Sequence, residues 1–157
     1  MPYRNEPVPR LALVQEIEQL WQERIPLASQ LGIRIVRLDE RSLEVVAPLA
    51  ANCNHMGTGF AGSLLAVASL TGWGAVVAVL ERVDAGQVVV QETNASFMEP
   101  VTGDFRMYAM LPDPAARARF LDAFRRRGRA RVSIVVEVVQ AERVAMRAES
   151  RFVAMRV

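Results

Sequence analysis

Lysine is absent from this 157-residue chain: all 19 of its basic side chains are arginines. That excludes Schiff-base catalysis, a lysine general base and a phosphate-binding lysine of the P-loop kind. Cysteine and histidine occur once each, as Cys53 and His55. No disulfide can form within the chain, and a zinc site of cysteines and histidines lacks ligands, so no metal is expected. The excess of positive charge is slight, a formal +2 from 19 basic and 17 acidic residues, where a dedicated nucleic-acid binder carries a strong basic surplus. A lone cysteine and no signal-type start give the expectation of a reduced, cytoplasmic protein.

What is present points to one globular domain over residues 1–157. Hydrophobic residues make up 52% and charged residues 23%, which is too apolar for global disorder. A chain of this length buries roughly 68–70% of its unfolded surface. Neither a repeat nor a linker interrupts it.

The periodicity predicts a helix over about residues 9–24, with Pro9 in its first turn and Leu13, Ile17, Leu20 and Trp21 on one face. Ile25-Pro26 ends it. Ile33–Leu38 and Ser42–Ala47 read as a hairpin turned at Asp39-Glu40-Arg41. From Val45 to Leu80 there is no formal charge, and about residues 60–80 form a long central helix. Its 21 residues are long enough to span a membrane. However, Gly62, Ser63, Ser69, Thr71, Gly72 and Gly74 suit a helix wrapped by a sheet, and no membrane insertion is expected. Alternation then marks strands at Val88–Phe97 and from Phe105, with Glu92, Asn94 and Ser96 sharing one face of the first. Asp113-Pro114 opens a short helix carrying Phe120, Leu121 and Phe124, and Gly128 closes it. Ala130–Val139 and Arg143–Met155 complete the set. One long helix wrapped by an antiparallel sheet is an α+β domain of the hotdog kind.

Gly57-Thr58-Gly59-Phe60-Ala61-Gly62 matches the dinucleotide pattern G-x-G-x-x-G, but an irregular segment precedes it where the fingerprint needs a strand. Small residues opening a buried helix instead expose backbone N–H groups where the helix dipole favours negative charge. Gly59, Phe60, Ala61, Gly62 and Ser63 are therefore the candidate substrate-binding residues, able to polarise a carbonyl as an oxyanion forms.

The run Asn54-x-x-Gly57-Thr58-x-Phe60-x-Gly62-Ser63-Leu64, followed by Leu70-x-Gly72-Trp73-Gly74, resembles the YiiD C-terminal-domain group of thioesterases. Ile25-Pro26, Leu31-Gly32-Ile33, Ala47-Pro48-Leu49 and Pro100-Val101-Thr102-Gly103 extend the likeness over about residues 11–155. The resemblance implies hydrolysis of acyl-CoA or acyl-carrier-protein thioesters, with coenzyme A entering only as part of the substrate and no other cofactor. It also implies homodimers joined sheet edge to sheet edge, often paired again as tetramers.

Related phenylacetyl-type hotdog thioesterases place an Asn in the loop, His-Gly-Gly at the helix start and an acid within the helix. Here Asn54 and Gly62 keep the pattern, whereas Phe60 stands for the His, Ala61 for the first Gly and Ser69 for the acid. The candidate catalytic residues are accordingly Asn54, Ser69 and His55. An unaided serine hydroxyl is too weak a base, so Ser69 orients a water or acts as a nucleophile beside a base. His55, or Glu92 or Glu99 of a neighbouring subunit, are the candidate bases. With the acid missing, a non-catalytic acyl-thioester binding protein is the alternative. Seven arginines between Arg117 and Arg131 suit the phosphates of coenzyme A, an acidic carrier protein, or a solvated helix end.

Overall fold

The computed structural model describes residues 10–157; Pro9 of the expected first helix lies outside them. Helix α1 (Arg10–Arg24) buries Leu13, Ile17 and Trp21, the stripe its periodicity indicates. Ile25-Pro26 does more than end it. Pro26 occupies the first turn of a second, six-residue helix, α2 (Pro26–Leu31), because proline's fixed φ and missing N–H are tolerated there. Gly32 closes α2 in the left-handed region, at φ 67°. A side chain at this position would be strained and would also press on the Pro48 ring, 3.0 Å from an added Cβ.

Strands β1 (Arg34–Leu38) and β2 (Ser42–Ala47) form the expected hairpin, with Arg34 opposite Val46 and Leu38 opposite Leu43. Its turn is held by Asp39, whose Oδ1 accepts the backbone N–H groups of Arg41 (2.8 Å) and Ser42 (2.9 Å). The central helix α3 runs Ala61–Leu80, one residue later than its sequence pattern indicates, because Phe60 is the extended residue that precedes it. After it come β3 (Gln87–Phe97), β4 (Phe105–Met110), α4 (Pro114–Arg127), β5 (Arg129–Gln140) and β6 (Arg143–Met155). Asp113 caps α4 by accepting the Ala116 N–H at 2.8 Å, and Gly128 ends it at φ 66°.

The six strands make one antiparallel sheet in the order β1-β2-β4-β5-β6-β3. Helix α3 packs against β2, β3, β4, β5 and β6, which is the hotdog arrangement. Two glycines let it approach closely. A Cβ at Gly72 would lie 2.8 Å from the Phe152 ring, and one at Gly74 would lie 2.9 Å from Leu43 Cδ2. Among the described residues α3 alone is long and apolar enough to cross a membrane, and most of its surface is buried by the rest of the chain.

Two features of this fold bear on function. Among the described residues strand β3 pairs only with β6, so its other edge is open along 11 residues. In addition, Leu65, Ala66, Ser69, Leu70 and Trp73 of α3 are only partly buried. They share one side of the helix that the chain's own sheet leaves half open.

Candidate active site

The segment between β2 and α3 carries no regular structure, yet side chains fix it at several points. Asn52 is 1% exposed, and its Nδ2 donates to the carbonyls of Leu31 and Pro48, both at 2.8 Å. Its backbone carbonyl accepts the Phe60 N–H at 2.8 Å. Asn54 builds the next turn. Its Nδ2 donates to Thr58 Oγ1 at 2.9 Å, while its Oδ1 accepts from Met56 N at 2.9 Å and from Thr58 N at 3.1 Å. An Asn side chain has two N–H donors and an oxygen with two lone pairs, so one N–H remains for another acceptor. Gly57, at φ 76°, completes the turn. Gly59 N then donates to the Val101 carbonyl at 2.8 Å, tying the loop to the segment that follows β3.

The result is a cavity of about 460 Å³ at the start of α3. One wall is Asn54, His55, Thr58, Gly59, Phe60 and Ala61; the other is Phe97 to Val101, with Leu64 at the base. The first helical amides, those of Ala61, Gly62 and Ser63, have no acceptor within α3. Among the described residues no side chain caps this end of the helix. The dipole adds partial positive charge there. The Phe60 ring lies over the same turn: a Cβ at Gly62 would come within 2.6 Å of Phe60 Cε1. Gly62 thus makes room for the ring.

The expected site residues therefore divide. Asn54, His55, Gly59, Phe60 and Ala61 line one cavity. Gly62 and Ser63 sit in the helical turn behind it. Ser69 lies further along α3 on the half-open side and donates its hydroxyl to the Leu65 carbonyl at 2.8 Å. This back-bond leaves the Ser69 oxygen free only to accept.

The two carboxylates also separate. Glu92 is opposite Arg151 in the β3–β6 ladder and ion-paired with it at 2.8 Å. Because Arg151 lies between buried Ser150 and Phe152, both face away from α3. Glu99 belongs to the cavity wall of its own chain and is ion-paired with Arg143 at 3.1 Å. Cys53 is exposed, with its sulfur 3.7 Å from the Ala50 carbonyl. Among the described residues no three His, Cys, Asp or Glu side chains come together as a metal site.

Sequence reasoning passed over Asn52, the anchor of the loop, and the wall from Phe97 to Val101. A second amide beside Asn54 in a charge-free, irregular segment was the available signal for Asn52. For the wall there was only the turn-like Pro100-Val101-Thr102-Gly103.

Such an arrangement can bind an oxyanion or a polarised carbonyl beside an apolar wall. The YiiD C-terminal family, described as a putative thioesterase, matches residues 14–156. A protein of unknown function from Chlorobaculum tepidum superposes with a TM-score of 0.87 at 27% identity, covering 96% of this chain and 98% of that one. A structure from Shewanella oneidensis, described as a putative thioesterase, gives 0.78 at 26% identity, over 92% and 98%. A third, from Pseudomonas aeruginosa and described as a probable thioesterase, gives 0.76 at 24% identity, over 95% and 97%. With nearly its whole length matched, the chain belongs to the YiiD C-terminal thioesterase family of hotdog proteins.

Proposed function

We propose that the chain hydrolyses acyl thioesters of coenzyme A or of an acyl carrier protein, as a cytoplasmic homodimer and with no resident cofactor. The observation that carries this reading is the cavity at the start of α3, where three helical amides without intrahelical acceptors meet an apolar wall. The thioester carbonyl sits against the amides of Ala61 to Ser63, which stabilise the oxyanion as water adds to carbon. The C–S bond then breaks, and the thiolate leaves and takes up a proton. Asn54 uses its remaining N–H to orient carbonyl or water. Ser69, able only to accept, orients a water on the half-open side of α3. His55, on the cavity wall, is the base that removes the water proton.

Two copies joined along the open edges of β3 cover that side of α3 and enclose the acyl chain; such dimers can pair again as tetramers. One observation favours a second reading, a non-catalytic acyl-thioester binding protein: no carboxylate lies on α3, and the Ser69 hydroxyl is engaged with its own helix.

Free-thiol release from acyl-CoAs of two to sixteen carbons, aryl-acetyl-CoAs and an acylated carrier protein tests both. Turnover well above the uncatalysed rate on any of them supports the hydrolase. Binding with recovery of intact thioester across the panel supports the binding protein.

A further inference from the structure

We infer that the exposed arginines at the end of α4 and the start of β5 form a docking surface for an acidic protein that carries the acyl thioester; this rests on the reading above and names its substrate class. The chain's charge is unevenly distributed. Between Pro114 and Arg131 there are seven arginines and a single acid, Asp122, so the rest of the sequence is net negative despite an overall +2.

Internal pairing accounts for little of this excess. Arg117 is bound to Glu81 at 2.9 Å and Arg126 to Asp122 at 3.0 Å. Among the described residues Arg131 donates only to the neutral Gln91, at 3.2 Å. Arg119, Arg125, Arg127 and Arg129 are exposed and have no ion-pair partner among the described residues. Nor are they needed to satisfy the helix end. Gly128 N donates to the Phe124 carbonyl at 2.9 Å. Arg156 donates to the carbonyls of Phe124 and Arg125, both at 3.3 Å.

The shape of the surface selects the partner. A small phosphate-bearing ligand is normally gripped in a concave site. Arg119 and Arg131 line the cavity between α4 and β5 together with Asp113, Phe120 and Ser133, whereas Arg125, Arg126, Arg127 and Arg129 stand outside it. Four exposed guanidinium groups outside that cavity fit a broad acidic face and steer its approach.

Position supplies the link to catalysis. The end of α4 abuts the start of β3, since a Cβ at Gly86 would lie 3.1 Å from Phe124 Cζ. When two open β3 edges pair about a two-fold axis, the strands run antiparallel. The Gln87 end of one copy then lies beside the Phe97 end of the other, where the cavity wall begins. A carrier docked on one copy's arginines therefore presents its thioester to the other copy's cavity.

The test compares the native chain with an Arg125→Ala/Arg127→Ala/Arg129→Ala variant. The control, Arg24→Ala/Arg34→Ala/Arg41→Ala, removes the same charge from exposed positions on other elements. Affinity for an unreactive amide-linked acyl carrier protein is measured by calorimetry at 0.15 M salt, alongside kcat and KM for acyl carrier protein and acyl-CoA. The expected result is an approximately tenfold weaker carrier affinity and a matching rise in its KM for the first variant alone, with acyl-CoA kinetics unchanged. Undiminished carrier affinity, an equal loss in the control, an equal rise in KM for acyl-CoA, or binding of duplex DNA in preference to the carrier would each overturn the assignment. Carrier binding without turnover by the native chain would leave the docking surface standing and count against the hydrolase.

Discussion

Asn54 and Asn52 are two residues apart and hold the same loop, yet they serve it differently. Asn54 uses three of its hydrogen-bonding positions to close a turn at the cavity wall, so the proposed chemistry loses its support when the amide is removed. Asn54→Ala is expected to lower kcat/KM by at least tenfold, and Ser69→Ala to lower it several-fold, with the cooperative unfolding transition retained in both; thiol-release kinetics beside a thermal melt check this. Unchanged turnover in both would leave the catalytic assignment without support. Asn52 is a stability residue. Truncating it strands the Leu31 and Pro48 carbonyls in the interior. Asn52→Ala should therefore cost about 2 kcal/mol and lower Tm by roughly 4–8 °C. Asn54 was legible because it falls within the family's motif. Asn52 was not, because its partners, at Leu31 and Pro48, meet it only after α2 and the β1–β2 hairpin have folded.

Among the elements, those with local capping chemistry were read most closely from sequence. Asp113 and Gly128 frame α4 as their residue types require, and Asp113→Ala should remove about 1 kcal/mol, measured by urea denaturation. The β1–β2 turn gives a prediction that depends on pH. Hydrogen bonds from the backbone N–H groups of Arg41 and Ser42, and from Arg37, hold the Asp39 carboxyl below its ordinary value. A carboxyl with a lower pKa folded than unfolded adds stability that is complete above its unfolded value, about pH 4, and disappears as pH falls through the folded value. Asp39→Asn should flatten the acid limb of the stability curve and leave its slope above pH 5 unchanged, as followed by denaturant melts from pH 2.5 to 7. Helix α2 was missed for an equally physical reason. Ile25-Pro26 is a stop signal for α1 and a start signal for the next helix, and six residues carry too little periodicity to show which applies.

The alternation and the single apolar helix were enough to read the hotdog architecture before any coordinates, because a helix apolar on every side must be surrounded. Pairing order was not legible in that way. β3 is followed by β4 in the chain but pairs with β6 at the far edge, a choice set by the tertiary path and not by residue type. That path leaves β3 open and mostly exposed beside a half-covered α3, where Val90 is 45% exposed although its cross-strand partner Phe152 is buried. An open edge of 11 residues invites pairing with another strand, and a two-fold pair of such edges would also cover Leu65, Ser69 and Trp73. A carboxylate placed at Val90 would be tolerated in a monomer, where water reaches it, and would be buried without a cation in the paired form. If the β3 edges join as proposed, the native chain sediments as a dimer and Val90→Asp as a monomer that keeps the far-UV spectrum of the fold. Thioester turnover should fall with it, because the half-open side of α3 would no longer be enclosed. A variant that remains dimeric, or a native chain that sediments as a monomer, would show that the β3 edges do not join.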